Sequence, residues 1–169
     1  MAHARQDSIA RAPAQRPETE RERLDRELEQ LLQELRVAMP GVQVLFAFLL
    51  AVPFQQRFTI VTPLQTTTYF VTLLAAGVAS ALFIAPTAYH RIVFRHGDKA
   101  HLVKVASRLT IMGLVALAVA MIGAVMLVTD VLFRTPTVVV TVLAATVLFG
   151  GLWFGMGVLR RLAHGGAPR

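Results

Sequence analysis

The chain has 169 residues, 55% hydrophobic and 16% charged, with a mean hydropathy of +0.58. Those values exclude an ordinary soluble domain, which carries more charge, and point to a small multi-span membrane protein. The absence of cysteine excludes disulfides, thiolate metal sites and cysteine nucleophiles. The net charge of +7 does not signal nucleic acid, because the Lys and Arg residues flank apolar runs, where orientation in a bilayer accounts for them.

Residues 1–17 have no apolar core of a signal peptide and read as a disordered tail. Residues 18–36 read as an amphipathic cytoplasmic helix, with Leu24, Leu28, Leu31, Leu32 and Leu35 forming one stripe. Its other face holds seven acids against four arginines, so it suits protein better than an anionic bilayer.

The first span covers about 37–56. Arg36 and Arg57 bracket it, ~31 Å apart on a straight helix, which matches the thickness of the hydrocarbon. Arg36, Gln43 and Arg57 are separated by multiples of seven and form a candidate polar seam. An amide at the depth of Gln43 wants a partner, and a single interhelical hydrogen bond would satisfy it. Pro40, Gly41 and Pro53 predict bends near the two ends.

The second span covers about 67–86 and the third about 109–133. Between them, Gly97 and Asp98 suggest a turn joining two helices that extend beyond the membrane. Pro136 opens the fourth span, about 137–159, and 160–169 form a tail. The expected fold is therefore all-α, integral to the membrane, with four transmembrane helices plus the N-terminal amphipathic cytoplasmic helix. Of the 17 Lys/Arg, only Arg57 and Arg134 lie in the two links on the other side, which predicts cytoplasmic termini and a cytoplasmic 91–108 link.

Few residues invite chemistry. Asp130 is the sole carboxylate within a span, and Arg134 four residues later offers a local ion pair, so the two form a candidate ion or proton site. Glu34, His90 and Arg91 stand at the cytoplasmic mouth as a candidate contact, with Glu34 and Arg36 on different faces. His90, His96 and His101 are irregularly spaced and lack converging acids, so no metal site is expected. Ala116 and Ala120, with Gly151 and Gly155, recur at four-residue spacing and are candidate helix-packing residues. No phosphate loop, catalytic triad or dinucleotide motif occurs, so neither an enzyme nor a cofactor is expected.

The run ELRVAMPGVQVLFAFLLAVPFQQRF, followed by APTAYHRIVFRHG and a later LVTD, resembles an uncharacterised, domain-of-unknown-function family of small actinobacterial four-span membrane proteins. The resemblance covers about residues 28–159. It implies a four-span protein of the bacterial cytoplasmic membrane, and members are sometimes labelled sodium/proton antiporter. The residues themselves favour a non-enzymatic scaffold or accessory subunit, in a homo-oligomer or a larger membrane complex. A small oligomeric channel or cation/proton transporter is the alternative.

Overall fold

A computed structural model describes residues 19–56, 60–93, 99–133 and 135–155. They form four helices: α1 (Glu20–Ala51), α2 (Pro63–Val93), α3 (Lys99–Leu132) and α4 (Thr135–Gly150). No strand occurs among the described residues. All four helices contain a stretch long and apolar enough to cross a membrane.

The first helix begins with a reciprocal cap. The Thr19 hydroxyl accepts the Glu22 backbone N–H, and the Glu22 carboxylate accepts the Thr19 backbone N–H at 2.8 Å. That backbone bond, and then the threonine hydroxyl, hold the Glu22 carboxyl below its ordinary range. From this cap α1 runs unbroken through Pro40 to Ala51, so the amphipathic segment and the first span are one helix. A short 3-10 turn, Val52–Phe54, follows at Pro53.

The helix that carries the second span is longer than the expected span of about 67–86. α2 continues past Pro86, which is buried inside it, to Val93. Proline deletes one backbone donor, and a packed neighbour makes that loss tolerable in a membrane helix. At its other end α2 starts at Pro63, four residues before that span. Thr62 caps it, with Pro63 in the first helical position and Gln65 three residues after the cap. The fourth helix begins at Thr135 as the Pro136 signal implied, and turns into a π-helical segment, Gly151–Gly155.

The packing seam of α1 is Leu28, Leu35, Val42 and Leu49, exposed by 6%, 3%, 1% and 5%. The seven-residue spacing keeps this row against its neighbours, as in supercoiled helices. On α2 the buried row is Tyr69, Thr72, Ala76, Ala79, Phe83 and Pro86. On α3 it is Leu102, Ala106, Gly113, Leu117 and Ala120. Small residues alternate with large ones along the α2–α3 contact, the most extensive among the described helices. Between lipid-bathed helices, close backbone approach replaces hydrophobic burial as the source of attraction. Among the described residues α4 contacts α3 alone of the other helices, and its buried residues are Val138 and Ala145.

Candidate functional site

Two hydrogen bonds between helices lie at the end of the bundle where α1 stops, α2 starts and α3 stops. The Gln65 side-chain nitrogen donates to an Asp130 carboxylate oxygen at 2.7 Å, joining the first turn of α2 to the last of α3. The Gln65 carbonyl oxygen accepts the Thr62 backbone N–H at 2.9 Å, so one side chain both caps α2 and ties it to α3. The placement suits the carboxylate, since the start of a helix presents unpaired N–H groups and a partial positive charge. Asp130 is half-buried there.

One turn along α2, the Tyr69 hydroxyl donates to the Leu49 carbonyl at 3.0 Å. In a continuing helix that carbonyl would accept from residue 53, which is proline and has no N–H. The Val52 N–H reaches it in a shorter 3-10 bond, and Tyr69 supplies a further donor. The last turn of α1 is thereby fastened to α2 at the position where Pro53 weakens it.

Beside these bonds lies an apolar cavity of about 450 Å³ between α1, α2 and α3. Phe48, Leu49, Tyr69, Ala124, Leu127 and Val131 are among its walls, and Gln65 stands at its edge. Its size is within the usual range of ligand pockets, but its lining offers almost no polar atom to orient a ligand.

The candidate residues separate into distinct places. Arg36 and Gln43 are exposed on α1, one residue beyond the buried Leu35 and Val42, so neither lines an interior path. Arg57 lies outside the described residues. Arg134 does too, and the described partner of Asp130 is Gln65. Glu34 is exposed, while the side chains of His90 and Arg91 lie outside the described residues. Ala120 is fully buried with Leu49, Tyr69 and Ala76, and Ala116 packs near Leu35 and Phe83. A Cβ on Gly151 would meet nothing within 4 Å, and one on Gly155 only the Gly150 carbonyl at 3.9 Å. These two glycines, in the π-helical segment after α4, therefore make no close helix–helix contact among the described residues.

Two residues escaped the sequence reading. Gln65 falls between the expected spans of 37–56 and 67–86, although Thr62-Pro63 with Gln three residues after Thr62 is a legible helix start. Tyr69 gave no signal, because its role depends on a carbonyl 20 residues away.

Elsewhere the buried polar side chains among the described residues are Thr72 and Thr129, and each donates to a carbonyl of its own helix, at 2.6 and 2.7 Å. No buried side-chain polar atom lacks a partner, and no cluster of three metal-ligating residues occurs, among the described residues.

Residues 17–157 match the model of a family of unknown function, DUF6328. The chain belongs to that family. The match takes in all four helices and both ends of the Gln65–Asp130 bond, so the arrangement above lies within the DUF6328 region. The chain matches no curated protein and no solved structure.

Proposed function

We propose that this DUF6328 protein is a non-enzymatic scaffold or accessory subunit of the bacterial cytoplasmic membrane, acting through protein contacts. The observation that carries this reading is the apolar interface of α1, α2 and α3. Val42, Ala76, Ala79, Phe83, Leu117 and Ala120 are buried in it, the cavity beside them has an almost wholly apolar lining, and its buried threonines are spent on their own helices. A cation exchanger needs an ionisable group deep in the membrane. Asp130 instead stands in the last turn of α3, bonded to Gln65. α4, attached on one side, leaves most of its apolar surface for lipid or another protein.

In proteoliposomes under an imposed pH gradient, the wild-type chain should give no cation flux above protein-free vesicles, and Asp130→Asn should change nothing. Robust exchange that disappears in Asp130→Asn would replace this reading with a cation/proton exchanger.

The Lys/Arg distribution supports cytoplasmic termini and a cytoplasmic link between α2 and α3. A single Ser107→Cys should then resist an impermeant thiol reagent on intact cells and react after lysis. Labelling on intact cells would invert the topology.

A further inference from the structure

We infer that Gln43 is a contact between two copies of this chain, its amide pairing with the same amide of the second copy inside the membrane. The inference rests on the reading that the protein acts through protein contacts, and it names the partner. Gln43 is exposed and stands ~100° around α1 from Val42, which faces the bundle. Along the axis it lies ~10 Å from Arg36, inside the apolar run. Among the described residues none bonds to it.

Hydrocarbon offers no water to an amide, so a lone Gln43 facing lipid is costly. A primary amide carries both an acceptor oxygen and N–H donors, so it is its own complement. Two copies share one topology, so their α1 helices run parallel. A two-fold axis along the membrane normal then brings the same residue to the same depth. That symmetry selects a second copy, because Gln43 meets Gln43 with donor and acceptor both used. On one side of Gln43 the outer face is small. Pro40, Ala47 and Ala51 are exposed there and allow the backbones to approach within reach of a short side chain, while Leu50, exposed two turns on in line with Gln43, adds apolar contact. Gly151, just after α4, also faces open space, but it carries no polar group that requires a partner.

The cysteine-free chain makes the test direct. With Ala47→Cys as the sole thiol, in phosphatidylethanolamine/phosphatidylglycerol vesicles, mild oxidation should yield covalent dimer. Gln43→Leu in that background should lower the yield about tenfold, the effect of one interhelical hydrogen-bonded pair. Gln43→Asn should retain most of it, and Gly151→Cys should cross-link far less than Ala47→Cys. Protease resistance of the monomer should be the same in all variants, since Gln43 supports nothing within the chain. An Ala47→Cys protein that stays monomeric, or a dimer yield indifferent to Gln43→Leu, would overturn the inference. Cation flux across the same vesicles would instead overturn the non-transporting reading and leave the Gln43 contact standing.

Discussion

Gly123→Ala should destabilise the bundle by about 1–3 kcal/mol, an effect of overpacking rather than of lost contacts. A Cβ at Gly123 would fall on the Thr72 hydroxyl oxygen and stand 3.2 Å from the Thr72 Cβ. Thr72 cannot easily turn away. Its hydroxyl is bonded to the Thr68 carbonyl, it is fully buried, and a β-branched side chain has few rotamers in a helix. The helices must separate instead. Gly113→Ala should act likewise, because its Cβ would stand 2.7 Å from Cδ1 of the buried Phe83 ring. Denaturant titration of the purified protein, followed by circular dichroism, reads both changes. Thr72→Ala should restore much of the loss in the Gly123→Ala background, with a coupling of about 0.5–3 kcal/mol. Additive effects of the two substitutions would show that α2 and α3 do not meet there.

The second large effect concerns the first half of α1. Leu28→Asp with Leu35→Asp should open residues 20–36 to protease while the spans stay intact. Both leucines are buried, and truncating a buried leucine alone costs about 2–5 kcal/mol, before the penalty of placing a carboxylate there. Glu27→Gln should have little effect. Its ion pair with Arg23, at 2.8 Å, joins two solvent-exposed side chains and is worth ~0–1 kcal/mol. Burial of the leucine row therefore holds this segment, and charge contributes little. Equal protease resistance in the double aspartate variant would mean that the segment is held by other contacts.

The four spans were legible because length and apolarity suffice to recognise a membrane helix, and both are local properties. The leucine stripe of 24–35 was legible too, since polar residues surround it. Within the apolar run that contrast vanishes. Val42, which packs, and Val44, which is exposed, differ in nothing the sequence displays. The row at Arg36 and Gln43 attracted notice through its polarity, whereas the packed row lies one residue earlier. Proline marks helix starts and tolerated interior positions as well as ends, so Pro63 opens α2 and Pro86 lies inside it. Gly113 and Gly123 could not be recognised as contacts without Phe83 and Thr72, which lie 30 and 51 residues away. The Gln65–Asp130 bond spans 65 residues and needed the folded chain, although the cap that positions Gln65 did not.

The claim that the protein works through protein contacts is tested most directly by the mass of the particle extracted from its own membrane in mild detergent, with bound detergent and lipid subtracted. The expected result is a particle of at least two chains, each of 18.5 kDa, or one carrying a second protein. A particle containing one chain and no other protein would contradict it.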